Sequence, residues 1–216
     1  MIGEIDDAIR ALVKASDGIA ADIDVALDAP TKEWAARRNA PTVDLFLYDI
    51  REDTKRREYG FSERRDDRGL VTQRTPAPRY FKLSYLVTAW TQRPDDEHPL
   101  LDALLRCFLR FDAIPPSFVD ETLAATGLPC SLSVALPPPE DRAFADVWSS
   151  LGGELKPSLD LVVTAPAARG FSYQVGPPVT AGVEAQLSAP AFGIGESATH
   201  LASALAPDAD GVPSEA

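Results

Sequence analysis

Two histidines and two cysteines are the side chains of this 216-residue chain best suited to nucleophilic, acid–base or metal chemistry. His98 directly precedes Pro99 in a polar segment typical of a helix start, and His200 lies in a stretch rich in alanine, glycine and proline. Ser-His-Asp or Cys-His catalysis needs a histidine that the fold positions, and the sequence has no G-x-S-x-G motif. We therefore predict no catalytic residue.

The cysteines are predicted to be structural. Cys107 and Cys130 both fall on apolar stripes, where free cysteine acts as a small buried hydrophobe. Two cysteines cannot make a disulfide framework, and a zinc site needs about four ligands at short spacings. No metal site is predicted.

Carboxylates occur in adjacent groups that include Asp6-Asp7, Asp66-Asp67 and Asp95-Asp96-Glu97. Solvated faces and helix N-caps explain these groups better than acid–base dyads, which require burial. The phosphate-binding pattern G-x-x-x-x-G-K is missing from the sequence. No cofactor is predicted.

The strongest chemical signal is an arginine-dense segment at residues 51–79, with aromatic residues interleaved. Arginine and aromatic side chains are favoured anchors of protein interfaces. A solvated loop with local ion pairs is the main alternative, and acidic residues within the segment disfavour nucleic acid. The predicted interface residues are Arg56, Arg57, Tyr59, Phe61, Arg64, Arg65 and Arg68. Alternating Phe171, Tyr173 and Val175 form a second candidate, as a strand added to the edge of a partner's sheet.

Charge is unevenly distributed along the chain. The 33 acidic and 21 basic residues give a net charge of −12, yet residues 51–79 carry nine basic and six acidic side chains. A body this acidic disfavours nucleic acid and anionic membranes as partners. No apolar run reaches the ~18–20 residues of a membrane span, and the acidic N-terminus is unlike a signal peptide. We expect a soluble protein made in the cytoplasm.

Hydrophobic periodicity indicates the elements that position these residues. Apolar residues three and four positions apart predict helices over residues 2–13, from Pro99 to Phe111 and over 140–151. Alternation predicts strands over 22–27, 43–50, 79–91, 128–136 and 158–165, whereas 28–40 is predicted to be a polar connection holding Trp34. The long charged segment at 51–79 suggests a hairpin with an extended arm, or a mobile loop.

The predicted fold class is α+β, with a mixed, mostly antiparallel sheet packed by about three helices. We place this domain at residues 1–166, with the charged arm or loop 51–79 inserted. Residues 167–216 form a low-complexity extension rich in alanine, glycine and proline, which we expect to be disordered beyond Gly182.

Four ordered blocks together resemble the cap, or tail-terminator, proteins of contractile injection systems, which are phage-tail-like particles. The blocks are PTVDLFLYDIRED, YFKLSYLVTAW, HPLLDALLRCFLRF and VWSSLGGELKPSLDLVVTAP. The resemblance covers about residues 1–166 and rests on segments rather than on a catalytic motif. It identifies strands Val43–Ile50 and Tyr80–Trp90 and the block from Trp148 to Val163 as scaffold.

The resemblance implies a structural role without enzyme activity or cofactor. Caps of this kind form a hexameric ring that closes the distal end of the tail, with the inner tube, the sheath and other copies of the cap as partners. The ring ends polymerisation and anchors the last sheath layer. In this setting we expect residues 51–79 to reach a neighbouring cap subunit or the terminal tube and sheath layer.

Two other functions remain open. A baseplate or tail-completion adaptor would occupy the same kind of particle at another place. A small-ligand or glycan-binding module could use Trp34, Trp90 and Trp148 to stack a sugar, although Trp90 and Trp148 are better explained as core. An enzyme using a carboxylate pair is the least favoured reading.

Overall fold

Two β-sheets and a set of helices make up the computed structural model, which describes residues 1–137 and 144–176, all within one compact unit. The helices are α1 (Ile2–Lys14), α2 (Lys32–Ala36), α3 (Pro94–Leu109), α4 (Glu121–Ala124) and α5 (Phe144–Ser150). The strands are β1 (Asp24–Ala26), β2 (Thr42–Glu52), β3 (Phe61–Arg65), β4 (Val71–Pro76), β5 (Arg79–Trp90), β6 (Ser131–Val134), β7 (Leu159–Ala167) and β8 (Tyr173–Gln174). Short 3₁₀ turns lie at Thr54–Arg56 and Pro116–Phe118.

The main sheet has five strands in the order β1-β2-β5-β7-β6. β1 runs parallel to β2 because α2 carries the chain back across the sheet end, and every other pair is antiparallel. The second sheet has three antiparallel strands in the order β3-β4-β8. This architecture confirms the predicted α+β class and the mixed, mostly antiparallel sheet.

One face of the main sheet forms the core with α1 and α3. Alternate residues of the central strands point to this face, as the pleat requires, and they include Leu45, Leu83 and Val163. The spacing of apolar residues in α1 and α3 directs one stripe of each helix onto them. Buried members of those stripes are Ile5, Ile9, Leu12, Leu104, Cys107 and Phe108.

Helix α3 begins five residues before the predicted start. Pro94 occupies the first helical position, where its missing N–H costs nothing. Asp95, Asp96 and Glu97 fill the first turn, where carboxylates favour the positive end of the helix dipole. Pro99 therefore lies inside the helix, and the prediction that it marks the start was wrong.

Two further boundaries differ from the sequence prediction. Trp34 lies on a helix rather than in a polar connection, because the Thr31 hydroxyl accepts a hydrogen bond from the Trp34 amide and caps α2. β6 is shorter than the predicted strand 128–136, and Ala135, with φ of 52°, ends it. The predicted start of the last helix, at residue 140, and most of the predicted C-terminal extension lie outside the described residues.

The segment between β2 and β5 is an arm rather than a mobile loop. β3 and β4 form a hairpin, and β8 pairs with β4 to complete what we call the arm sheet (β3, β4 and β8). At the tip, one oxygen of Asp66 accepts hydrogen bonds from the backbone amides of Arg68 and Leu70. Gly69 supplies the positive φ of +77° that the turn needs.

Candidate protein interface

Three aromatic rings lie side by side on one face of the arm sheet. Phe61 and Tyr173 have ring centroids 5.8 Å apart, and Tyr173 and Phe171 have theirs 5.5 Å apart, both pairs in edge-to-face geometry. Their exposed fractions are 55%, 53% and 42% for Phe61, Tyr173 and Phe171. We call these three residues the aromatic ladder, and their exposure makes this face a candidate interface.

β8 finds its strand partner in its own chain. Tyr173 and Gln174 pair with Arg74 and Gln73 of β4, and the amide of Val175 donates to the Thr72 carbonyl oxygen at 3.0 Å. The segment predicted to add a strand to a partner thus already uses one of its edges on the arm. The side chain of Phe171 also lies against Arg169, whose guanidinium carbon is 5.1 Å from the ring centroid.

At the base of the arm, Glu52 is held between two arginines. Arg57 donates from Nε to Glu52 Oε1 at 2.9 Å and makes a second, shorter bond to Oε2. Arg79 reaches the same carboxylate at 3.1 Å. These contacts, with the hydrogen bond from Arg57 first, lower the pKa of Glu52, and the same bond followed by a contact with exposed Tyr59 raises the pKa of Arg57.

Other predicted interface arginines also contact groups within the chain. Arg65 and Arg74 bind the two oxygens of Glu63, at 2.6 and 3.1 Å. Arg56 lies over the Tyr80 ring with its guanidinium carbon 5.4 Å from the centroid, and its Nε is 3.8 Å from an Asp53 oxygen. These contacts hold the Arg56 and Arg65 side chains against the chain itself.

Arg64 and Arg68 differ from the other arginines of the arm. Both are exposed, and within residues 1–137 and 144–176 neither side chain forms an ion pair. The side chains of these two arginines are therefore free to meet a partner, whereas the other arginines of the arm are held in ion pairs within the chain. Sequence composition could not separate these groups because pairing depends on the register of the hairpin.

Replacing Glu52 by glutamine should loosen the arm at its base. Both arginine contacts of Glu52 depend on its charge, so hydrogen exchange of amides at 53–76 should become several-fold faster, with β5 and β7 unchanged. Because folding lowers the pKa of Glu52, its stabilising contribution is complete above the ordinary value near 4.5 and declines as pH falls through the folded value. Mass spectrometry of exchange at pH 7 and pH 4 measures both effects. The matched control is Glu58→Gln, at an exposed residue without an ion pair among the described residues. Equal exchange rates in the two variants would contradict the stabilisation of the arm by the Glu52 ion pairs.

Three tryptophans cluster at the opposite end of the main sheet. Trp90 packs against Trp34 and Trp148 with ring centroids 5.4 and 6.5 Å away, and the Lys156 amine lies 4.7 Å from the Trp90 centroid. Trp34 and Trp148 are buried and Trp90 is partly exposed, which confirms Trp148 as core and leaves two of the three rings with almost no exposed surface on which a sugar could stack. We call the surface formed by residues 22–38, 93–98 and 144–157 the Trp end.

An apolar pocket of about 610 Å³ opens at the Trp end. Trp90 and Trp148 line it together with three prolines and Leu155. Glu97 and Lys156 form a largely buried ion pair at its wall. The lining prolines are Pro30, Pro94 and Pro157.

A buried carboxyl group lies beneath the same cluster, and the sequence did not single it out. Asp44 points away from the main core because its neighbours Val43 and Leu45 point into it. Its side chain has no exposed surface, and neither oxygen has a hydrogen-bond partner of standard geometry among the described residues. Burial, followed by the nearby charge of Asp28, raises the pKa of Asp44 from 3.8 to about 8, while Arg38 and then a contact with the Leu45 backbone amide lower it less.

The two cysteines and the possible metal ligands show no arrangement suited to catalysis among the described residues. Burial raises the pKa of the Cys107 and Cys130 thiols, which disfavours the reactive thiolate. The described residues hold no cluster of three or more His, Cys, Asp or Glu side chains that could ligate a metal. Within those same ranges, each helix is too short or too polar to cross a membrane.

Known proteins resemble this chain in sequence and in fold. The family model of the Pvc16 N-terminal domain matches residues 4–181, whereas no curated protein sequence matches the chain. The PVC sheath/tube terminator of an extracellular contractile injection system, in its extended state, superposes with a TM-score of 0.63 at 24% identity, covering 89% of this chain and 65% of that one. The anti-feeding prophage cap, a tube terminating cap, gives 0.58 at 19% identity, covering 84% of this chain and 60% of that one.

This chain spans less than two thirds of the length of both structures. The matches nevertheless confirm the resemblance to caps of contractile injection systems found in the sequence blocks. Because the family match extends over most of the 216 residues, the chain belongs to the Pvc16 N-terminal domain family.

Proposed function

We propose that this protein is the structural cap of a contractile injection system. In this role it forms a hexameric ring that closes the distal end of the inner tube, anchors the last sheath layer and ends tail polymerisation. The main support is the family match over residues 4–181 together with a fold shared with two terminators over more than four fifths of the chain. Its partners are other copies of itself and the tube and sheath proteins, and it joins the particle in the cytoplasm.

The distribution of contacts supports an assembly role. Residues 1–166 act as the cap domain, the arm at 51–79 projects from it, and residues 167–216 are an extension. A closed ring needs two different surfaces on each subunit, one complementary to the other. The arm sheet with its aromatic ladder and the Trp end are two such surfaces, at opposite ends of β5.

Imaging particles from a strain that lacks this protein tests the proposal. Without a terminator, tube and sheath growth has no defined end, so we expect tails of uncontrolled length or tails without sheath. Returning the full chain should restore uniform tails, and a gold-labelled tag on it should mark the end distal to the baseplate. Normal tails in the deletion strain, or a label at the baseplate end, would contradict a terminator.

A further inference from the structure

The two ends of the main sheet carry opposite charge. β5 runs from Arg79 beside the arm to Trp90 at the Trp end, and its twelve residues span roughly 35–40 Å. Residues 51–79 hold nine basic and six acidic side chains, whereas the Trp end holds five basic and nine acidic ones. One chain cannot bring these two ends together, but two copies arranged head to tail can.

Individual charges agree with this arrangement. On the arm, Arg64 and Arg68 form no ion pair within the described residues. At the Trp end, Asp96 likewise has no cationic partner in those ranges, whereas the exposed Glu154 carboxylate lies 3.9 Å from the Lys32 amine. Arg68 and Asp96 are thus unpaired charges of opposite sign at the two ends, whereas Arg64 points to the face of β3 opposite the aromatic ladder.

The apolar surfaces are complementary as well. The aromatic ladder exposes about half of each of its rings, and the Trp end offers a pocket of about 610 Å³ lined by tryptophan and proline, with Leu155 69% exposed at its mouth. Aromatic anchors in apolar pockets surrounded by charged residues are the usual core of a protein interface. Heterologous contacts of this kind produce closed rings when the rotation between copies is right.

We propose that the aromatic ladder of one copy docks into the Trp-end pocket of the next copy, with Arg68 at the tip of the arm facing Asp96. This contact rests on the proposed ring and specifies which surfaces form it. The arm then joins cap subunits to one another rather than to tube or sheath.

A cysteine pair tests the contact in assembled particles. Tyr173→Cys on the aromatic ladder and Leu155→Cys at the pocket should form an intermolecular disulfide upon mild oxidation. The double variant should then run as a series of covalent cap multimers on non-reducing gels. Tyr173→Cys combined with Leu109→Cys is the matched control, because Leu109 is 65% exposed and Leu155 69%, while Leu109 lies at the other end of α3. The control should remain monomeric. Equal cross-linking in both pairs, or a disulfide from Tyr173→Cys to tube or sheath, would overturn the proposal.

Charge reversal provides a second readout. Arg68→Glu, or Asp96→Lys, should each lower the fraction of capped particles several-fold, and the two changes combined should restore it. Asp102→Lys with Arg106→Glu, an exposed pair on α3, should leave capping unchanged. Capped particles in every variant would overturn the proposed contact without contradicting the terminator role. A parent chain that caps no tail would instead refute the terminator role.

Discussion

An Asp44→Asn variant should be more stable than the parent chain at pH 8, by about 2–5 kcal/mol. The Asp44 carboxyl is wholly buried and has no hydrogen-bond partner of standard geometry among the described residues. An ionised carboxylate in such a place is strongly penalised, and asparagine keeps the shape of the neutral acid without the ability to ionise. We expect this gain because the fold raises the pKa of Asp44 to about 8.

The same substitution should flatten the dependence of stability on pH. In the unfolded chain Asp44 ionises near 3.8, whereas in the folded chain it remains protonated to about 8. Between these values the folded state binds more protons than the unfolded state, so the free energy of unfolding of the parent falls by up to about 1.4 kcal/mol per pH unit. Below pH 4 the parent and Asp44→Asn should therefore converge.

Urea unfolding followed by tryptophan fluorescence at pH 4, 6 and 8 measures this difference. Asp22→Asn is the control, because Asp22 is exposed and close in sequence to the same cluster; its profile should follow that of the parent. If the Asp44→Asn and parent profiles run parallel across the whole range, Asp44 is not held as a neutral acid.

The core of this fold was predictable because it depends on side-chain periodicity alone. Leu45 in β2 and Leu83 in β5 alternate with outward-facing residues, and a pleated strand must bury such a set on one side. The apolar residues of α1 recur every three and four positions, which places them on the buried side of the helix. These signals are local, so no knowledge of distant contacts was required.

The sequence predicted which charged residues the arm contains but not which of them are paired. Glu63 of β3 lies opposite Arg74 of β4, and its carboxylate binds both Arg74 and Arg65. Arg64 points to the other face of β3 and forms no ion pair within the described residues. This difference arises from register, which an arm without apolar periodicity does not encode in its sequence. Asp44 was missed for a related reason, since its burial depends on contacts with other elements, which the alternation along β2 does not encode.

Replacing Trp148 by alanine should cost about 3–5 kcal/mol of the free energy of unfolding, the usual range for a buried tryptophan. The ring is 2% exposed and packs against Trp90 from a helix of only seven residues, so it anchors α5 to the rest of the unit. Gly153 lies close beneath it, and a Cβ there would come within 3.1 Å of the indole. Neighbouring backbone this tightly packed cannot readily close the cavity that alanine leaves.

Trp148→Phe should be far milder, with a loss of about 1–2 kcal/mol. Phenylalanine keeps most of the apolar surface, and it removes the indole N–H, which is buried without a hydrogen-bond partner among the described residues. Urea unfolding monitored by circular dichroism distinguishes the two variants. Similar losses in Trp148→Ala and Trp148→Phe would mean that the indole itself, rather than the filled volume, stabilises the Trp end; a loss below about 1 kcal/mol in Trp148→Ala would show that α5 contributes little to the folded unit.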